Sequence, residues 1–240
     1  MNQTLSETLQ HNIGIIRAQM DEAALRCGRR PDSITLCAAS KTRSVEEILA
    51  SAAFAIDCFG ENHAQELERN FDAGAYAGKP GHFIGHLQTN KVKKVVGRAA
   101  LIQSVDSERV ADAIDSCAAR MGLIQDILLE INVGGEESKS GTSFDGCRAL
   151  LDYTAGLKNL HICGLMTIPP VCENETEARR WFSRMRSFFD EMQNRNGGNT
   201  DLTILSMGMS SDYAAAILEG STMVRVGSAI YGPRAYPNKT

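Results

Sequence analysis

The chain has 240 residues, of which 43% are hydrophobic and 22% charged, and its formal net charge is -4. This slightly acidic composition lacks the broad basic surface that nucleic-acid binding needs, and no apolar run approaches the length of a membrane span. Two small domains could be built from this length, but single α/β barrels are commonly as long.

The first predicted element is an amphipathic helix over residues 5–25, which Gly28 and Pro31 end. After it, short β-rich segments alternate with helical segments. The predicted strands cover residues 34–40, 58–62, 82–87, 101–105, 126–133, 161–168, 202–208 and 223–230. The predicted helices cover residues 44–54, 63–71, 89–97, 107–122, 143–157, 175–195 and 211–220.

This alternation predicts an α/β fold with a parallel sheet. Eight such units predict a single closed (β/α)8 TIM barrel with an extra N-terminal helix. An open doubly wound sheet is the alternative, although the G-x-G-x-x-G turn expected after its first strand is missing. No low-complexity linker divides the chain, so we expect one domain over residues 1–240.

Lys41 follows the first predicted strand directly, at the end where barrels place their sites. Because side chains alternate along a strand, the small residues Cys37 and Ala39 share a face with Lys41, and Ile34 and Leu36 share the other. The bulky pair suits the helix-facing side. Lys41 therefore points to the barrel mouth, unless it is an ordinary strand-end lysine whose amine reaches solvent.

Glycine and serine are frequent after the seventh and eighth strands, in "SMGMSSD" and "VRVGSAIYG". The loops at these two positions form the recurrent phosphate site of this fold. Ser210 is also a candidate N-cap for a helix that begins near Asp212. Ordinary turn and cap chemistry would favour the same residue types.

Arg225 interrupts the apolar run of the last predicted strand and, by parity, points into the barrel. A buried guanidinium needs acceptors. One interpretation is a structural ion pair with Glu130 of the fifth strand, and the other is a bound ligand. In a closed barrel the first and eighth strands are neighbours, so an amine, an anion cradle and an arginine would converge, which fits a phosphorylated carbonyl compound.

The chain has seven cysteines, an odd number, with no C-x-x-C motif and no His/Cys spacing typical of a metal site. No metal is therefore expected. Several cysteines lie in apolar runs, as free cysteine does in a reducing compartment. The N-terminus lacks the pattern of a signal peptide, so we expect a cytoplasmic protein.

The motifs carry a family resemblance that extends over nearly the whole chain. They are "ASKTRS", "FGENHAQE", "HFIGHLQTNK", "EINVGGEESKSG", "GLMTIPP", "LSMGMSSDYAAAI" and "STMVRVGSAIYGPR". In this order and spacing they resemble the YggS/PROSC family, the pyridoxal phosphate homeostasis proteins. The resemblance implies the barrel domain of alanine racemase type and pyridoxal 5'-phosphate as the cofactor.

The resemblance also implies a role for individual residues. Lys41 matches the lysine that holds the cofactor as a Schiff base, and Arg225 matches the arginine that faces the pyridine nitrogen. The other positions implied to bind the cofactor are Asn62, Ser206, Gly208, Ser210, Gly227 and Ser228, with the serines and glycines after strands seven and eight near the phosphate. Lys139 matches a further family lysine near the mouth, a possible secondary amine. Arg43 stands where many relatives carry a lysine.

The implied function is a carrier or buffer that releases the cofactor to apo-enzymes. An arginine at the pyridine nitrogen disfavours its protonation and weakens the ring as an electron sink. The alternatives are a weak pyridoxal-phosphate enzyme, such as an amino-acid racemase, and, less in keeping with the motifs, a Schiff-base lyase. The racemase catalytic tyrosine comes from an added domain of a partner subunit, and without that domain we expect a monomer.

Overall fold

The computed structural model describes residues 3–136 and 139–233. Eight strands alternate with helices through these residues, after an N-terminal helix. The strands are β1 Thr35–Ala39, β2 Cys58–Glu61, β3 Gly81–Phe83, β4 Leu101–Val105, β5 Gln125–Ile131, β6 Leu160–Thr167, β7 Thr200–Ser206 and β8 Met223–Val226. The helices are α1 Gln3–Arg26, α2 Val45–Ala52, α3 Ala64–Asp72, α4 Val92–Val95, α5 Glu108–Met121, α6 Phe144–Thr154, α7 Glu175–Gln193, α8 Tyr213–Leu218 and α9 Ser228–Tyr231. Short 3-10 helices cover Pro31–Ser33 and Thr89–Lys91.

The strands form one closed parallel barrel in sequence order, and β1 pairs with β8 to complete it. At this seam Cys37 lies opposite Arg225, and Ala38 lies opposite Val226. The predicted (β/α)8 barrel with an added N-terminal helix is therefore confirmed, and the open doubly wound sheet is excluded.

The barrel separates two apolar layers. Ile34, Leu36 and Ala38 of the β1 region pack in the larger layer, between the strands and the helices. Cys37 belongs to a smaller cluster inside the barrel, which also contains Met223. The predicted alternation along the first strand is thus confirmed, and it directs the odd-numbered residues of this segment towards the interior.

Helix α1 packs beside the β1–β8 seam, against α2, α8 and α9. Its buried stripe consists of Leu9, Ile13, Ile16 and Met20, spaced as one face of a helix. Burial of each large apolar side chain contributes about 2 kcal/mol. Asn12 Nδ2 also donates to the carbonyl of Ile230 at 2.9 Å, so α1 holds the segment that follows β8.

Two predicted strands are shorter than their apolar runs. The eighth ends at Val226, because Gly227 turns the chain and Ser228 begins α9. The third ends at Phe83, although the apolar run continues to Leu87. In both places the apolar residues that follow the strand are buried although they do not pair in the sheet. A hydropathy pattern cannot distinguish such buried residues from residues of a strand. None of the helices in the described ranges combines the length and apolar character needed to cross a bilayer.

Candidate functional site

A cavity of about 270 Å³ opens at the carboxyl ends of β1, β7 and β8. It is lined by Ala39, Lys41, Arg43, Met209, Ser210, Ser211, Arg225, Gly227, Ser228 and Gly232. Five of the predicted site residues meet here: Lys41, Ser210, Arg225, Gly227 and Ser228. Closure of the barrel brings them together, since Lys41 directly follows β1 and Arg225 lies on the neighbouring strand β8.

Lys41 lies in a tight turn immediately after β1. The amide of Arg43 donates to the carbonyl of Ser40 at 3.0 Å, which closes the turn over Lys41 and Thr42. Thr42 has φ +66°, a left-handed conformation that is costly for a β-branched residue. Ser44, two residues further on, caps α2 in a reciprocal capping box with Glu47. The backbone that carries the lysine is therefore held from both sides.

A buried carboxyl group anchors the residue before the lysine. Glu61 Oε1 accepts hydrogen bonds from Ser40 Oγ at 2.7 Å, from Asn70 Nδ2 at 2.8 Å and from Tyr76 OH at 3.4 Å. Burial raises the pKa of Glu61 from 4.5 to about 7, although these hydrogen bonds act in the opposite direction and lower it. Glu61 points away from the cavity, into the helix-facing layer, so it positions the turn of Lys41 without lining the site.

Glu61 should make stability depend on pH. Its pKa is raised in the folded state, so the folded protein binds the extra proton and the free energy of unfolding falls as pH rises from about 4.5 to about 7. For one such group, the free energy of unfolding changes by up to about 1.4 kcal/mol per pH unit within this range. We expect Glu61→Gln to remove this contribution, measured by urea unfolding of the apoprotein from pH 5 to pH 8. Exposed Glu7→Gln serves as the control, and a Glu61→Gln slope equal to wild type would contradict the assignment.

Arg225 lies inside the barrel, with only 4% of its surface exposed. Its Nη1 donates to Ser206 Oγ at 2.6 Å, and its Nη2 donates to the carbonyl of Thr167 at 2.9 Å. Ser206 in turn donates to Gln103 Oε1 at 2.7 Å. Burial lowers the pKa of Arg225, but a guanidinium stays protonated in proteins. Neutral acceptors therefore hold a full positive charge at the floor of the cavity.

The proposed structural ion pair between Arg225 and Glu130 is wrong: within the described residues no ion pair joins them. Glu130 Oε2 is buried without a hydrogen-bond partner there. Burial, helped by the nearby charge of Asp106, raises the pKa of Glu130 to about 7. The serine and carbonyl acceptors satisfy the guanidinium instead, which explains why a carboxylate is not needed.

Ser210 organises the loops after β7 and β8. Its Oγ accepts hydrogen bonds from the amides of Gly227 at 3.1 Å and Ala229 at 3.3 Å. It is not the N-cap of α8, as the sequence had suggested. Asp212 occupies that position, and its carboxylate reaches back to accept the amide of Met209 at 2.6 Å. Ser210 therefore ties the two loops to each other rather than starting a helix.

Backbone donors remain at this end of the cavity. Among the described residues, the amides of Ser210, Ser211 and Ser228 donate no hydrogen bond. At Gly227 an added Cβ would lie 3.1 Å from the carbonyl oxygen of Ala39 and 3.3 Å from its Cβ. The glycine thus lets the loop approach β1 closely. A group of amides of this kind suits an anion.

Besides Lys139, three predicted site residues do not line the cavity. Ser206 is the last residue of β7 rather than part of the following loop, and it holds Arg225 from within the barrel. Gly208 has φ +95°, and an added Cβ would lie 2.5 Å from Ala216 Cβ, so this glycine allows α8 to pack. Asn62 follows β2, two residues beyond the pairing of Gly60 with Ala39. Its Oδ1 is buried and lacks a hydrogen-bond partner in the described part of the chain.

Lys139 lies beside a second cavity of about 590 Å³. The two cavities share Met209 and Ser211. Lys139 Nζ donates to the carbonyl of Pro169 at 3.0 Å and lies 2.9 Å from Glu136 Oε1. The structure therefore places this lysine next to the first cavity but does not bring it to Lys41.

Several supporting residues were missed from sequence. Arg43 Nη2 donates to the carbonyl of Gly232 at 2.8 Å and its guanidinium stacks over Tyr231, which fixes the chain after α9 beside the cavity. Gln103 connects Ser206 to His82 Nδ1, 3.0 Å away, inside the barrel. A polar residue at the centre of the predicted strand "LIQSV" was the available signal for Gln103.

Comparison with known proteins agrees with this geometry. Residues 6–235 match the family model described as alanine racemase, N-terminal domain. The pyridoxal phosphate homeostasis protein of Aquifex aeolicus is 41% identical over 218 residues, which cover 91% of this chain and 95% of the relative. The protein of the same name from Escherichia coli K12 is 36% identical, over 96% of this chain and 99% of the relative. The chain belongs to the pyridoxal phosphate homeostasis protein family, YggS/PROSC.

Solved structures extend the comparison. The chain is similar to PipY of Synechococcus elongatus PCC7942, a structure with PLP bound, with a TM-score of 0.81 and 31% identity over 93% of this chain and 100% of PipY. An unknown protein from Bifidobacterium adolescentis gives a TM-score of 0.90 at 34% identity, covering 96% of this chain and 97% of that one. Alanine racemase of Clostridium difficile 630 gives a TM-score of 0.74 at 16% identity. This similarity shows that the two proteins share the barrel fold.

Proposed function

We propose that this chain binds pyridoxal 5'-phosphate as a Schiff base on Lys41 and serves as an intracellular carrier or buffer of that compound. The observation that carries the proposal is the single cavity in which Lys41, the amides and hydroxyls of two loops, and the buried Arg225 meet. The bound-PLP structure of the relative PipY supports the same ligand.

The cavity residues offer a suitable partner to each functional group of this ligand: the aldehyde, the phosphate and the pyridine nitrogen. The amine of Lys41 is the nucleophile for an aldehyde, and condensation releases one water molecule. Ser210, Ser228 and the neighbouring amides offer donors to a phosphate dianion, and Gly227 keeps the backbone close to it. Arg225 offers a fixed positive donor to the pyridine nitrogen, because Ser206 and Thr167 already hold its orientation.

Pyridoxal phosphate, when bound, supplies an electrophilic aldehyde and an electron-withdrawing ring. A protonated arginine at the ring nitrogen disfavours ring protonation and so weakens electron withdrawal. Arg225 therefore favours holding the aldehyde over promoting carbanion chemistry. The aldehyde is reactive towards free amines, so sequestration on Lys41 limits adducts in the cell, and release would supply enzymes that lack the cofactor.

The proposal is tested by trapping the linkage. Purified protein loaded with pyridoxal phosphate is reduced with borohydride, digested and mapped by mass spectrometry. We expect the pyridoxyl group on the peptide that contains Lys41. Recovery of the label only on other lysines would refute the assignment.

The carrier role is tested by transfer. The loaded protein is mixed with an apo-enzyme that requires pyridoxal phosphate, and recovery of that enzyme's activity is compared with recovery from an equal amount of free cofactor. We expect transfer without added free cofactor. Turnover of enantiopure alanine or serine that disappears in Lys41→Ala would instead support the racemase alternative.

Gly227→Val should weaken retention of the cofactor. An added Cβ already lies 3.1 Å from the carbonyl oxygen of Ala39, so valine must push the loop away from β1 and displace the amides near the phosphate. Loss of one such hydrogen bond, about 1–1.5 kcal/mol, weakens binding about tenfold. Equilibrium dialysis measures the change.

Gly14→Val is the matched control for Gly227→Val. It makes the same substitution on the exposed side of α1, where an added Cβ meets nothing within 4 Å. We expect wild-type retention in this control. Wild-type retention by a folded Gly227→Val protein as well would show that the phosphate is held elsewhere.

A further inference from the structure

Three side chains with metal-binding atoms meet at the amino-terminal end of the barrel, opposite the cavity of Lys41. They are Asp126 of β5 and His161 and Cys163 of β6. Asp126 Oδ1 lies 2.9 Å from His161 Nδ1, and Cys163 Sγ lies 3.3 Å from the same nitrogen. The three ligand atoms all lie within 4.8 Å of one another.

Strand pairing and the alternation of side chains bring this cluster together. Asp126 pairs with His161 across β5 and β6, so their side chains share the inner face. The register then shifts, and Cys163 is skipped both in the pairing with β5 and in the pairing with β7. His161 and Cys163 are two residues apart on β6 and therefore share a face, which places the thiol beside the imidazole.

The cluster is both accessible and negative. The side chains of Asp126 and His161 are 49% and 39% exposed, whereas Cys163 is buried behind them at 6%. An ion can therefore enter from solvent and meet the thiol last. Asp201 of β7 adds a second negative charge near the cluster, and negative charge attracts a cation.

We propose that Asp126, His161 and Cys163 bind one zinc ion at the amino-terminal end of the barrel. Thiolate, imidazole and carboxylate together are typical zinc ligands, and three protein ligands leave a fourth position for water. Zinc bond lengths place nitrogen and sulfur about 3.5 Å apart, and nitrogen and oxygen about 3.4 Å apart, at a tetrahedral angle. The two observed distances from His161 Nδ1, 2.9 Å and 3.3 Å, would therefore have to expand by about 0.5 Å and about 0.2 Å.

The expected effect of this site is on stability. The ion joins β5 to β6 where their register shifts, at the end of the barrel that governs stability rather than chemistry. Because zinc binds the folded chain, it should raise the thermal midpoint, and the midpoint should keep rising with the logarithm of the free zinc concentration above the dissociation constant. The spectrum of pyridoxal phosphate at the opposite end should not change.

A second cluster inside the barrel provides the competing explanation for any zinc binding. Cys37, Cys58 and His82 also bring their ligand atoms within 4.8 Å, but all three are buried. His82 Nδ1 is already 3.0 Å from Gln103 Nε2 and 3.6 Å from Cys58 Sγ. An ion would have to displace that contact and cross a closed interior, so the exposed cluster is the better site.

The test is a zinc titration of chelator-stripped full-length protein against a chromophoric chelator, with cobalt as a spectroscopic probe. We expect one equivalent of zinc, a sulfur-to-cobalt charge-transfer band and a raised thermal midpoint. Loss of a second-shell partner typically costs 10–100-fold in affinity, so Cys163→Ser and His161→Ala should each weaken binding by about 100-fold or more.

The controls separate this site from the other thiols. Cys147→Ala removes a buried cysteine of α6 outside both clusters and should retain zinc affinity, as should Cys58→Ser. If Cys163→Ser fails to fold, Asp126→Asn replaces it in the titration, because it changes a half-exposed side chain. This variant should also bind zinc more weakly than wild type. Absence of zinc binding in wild type, or binding lost in Cys58→Ser but kept in His161→Ala, would overturn the proposal.

Discussion

Replacement of Lys41 by alanine is expected to abolish the borohydride-stable adduct with pyridoxal phosphate. Lys41 is the lysine that lines the cavity with Arg225 and the loop serines. Without its amine the aldehyde has no nucleophile there, and only the weaker hold of the phosphate and ring contacts remains. The measurement is the yield of pyridoxyl peptide by mass spectrometry, together with the loss of Schiff-base absorbance.

The fold should tolerate Lys41→Ala. The side chain is half-buried at the mouth, and the turn is closed by the backbone bond between Arg43 and Ser40. We expect the free energy of unfolding to change by about 1 kcal/mol or less. Lys139→Ala is the matched control, because that lysine lines the neighbouring cavity and should leave the adduct intact. An undiminished adduct in Lys41→Ala would remove the basis of the proposed function.

Arg225→Met should weaken retention of pyridoxal phosphate and shift the absorbance maximum of the bound form. Methionine keeps an unbranched side chain but removes the charge and the donors. A hydrogen bond that involves a charged group contributes about 1.5–3 kcal/mol, so retention should fall by about 10-fold to 150-fold. Loss of the fixed cation also lets the pyridine nitrogen protonate more readily, which the spectrum reports directly.

Arg43→Met is the control for removal of a positive charge from the cavity wall. Arg43 binds the carbonyl of Gly232 and stacks on Tyr231, so its loss should affect the loop more than the ring of the ligand. We expect the absorbance maximum to stay at the wild-type position. An unshifted spectrum in folded Arg225→Met protein would mean that the arginine does not contact the ring. Urea unfolding of each apoprotein shows whether the loss comes from folding instead.

The barrel was predictable because its signals are local. Alternating strand and helix patterns gave the element order, and the contrast between Leu36 and Cys37 indicated which face of β1 is interior. The closed topology then followed from the number of units. Strand ends were less predictable, because the apolar residues after Phe83 and Val226 are buried whether or not they pair.

The partners of the site residues were not predictable from spacing. Arg225 could have paired with Glu130 on parity alone, yet it binds Ser206 and Thr167, a choice set by side-chain orientation inside the barrel. Ser210 looked like a helix cap but bridges to the amides of Gly227 and Ala229. Contacts between distant segments leave no periodic trace in the sequence.

The turn at Lys41 has a consequence for kinetics. Its backbone is fixed by the Ser40–Arg43 bond, by the anchor of Ser40 on Glu61 and by the capped start of α2, all of them contacts between residues of this chain. If Lys41 captures the aldehyde as proposed, this turn should need no rearrangement, and the rate of capture should be set by collision and by condensation at the amine. Release of a cofactor held in this way should then wait on hydrolysis or transimination of one covalent bond.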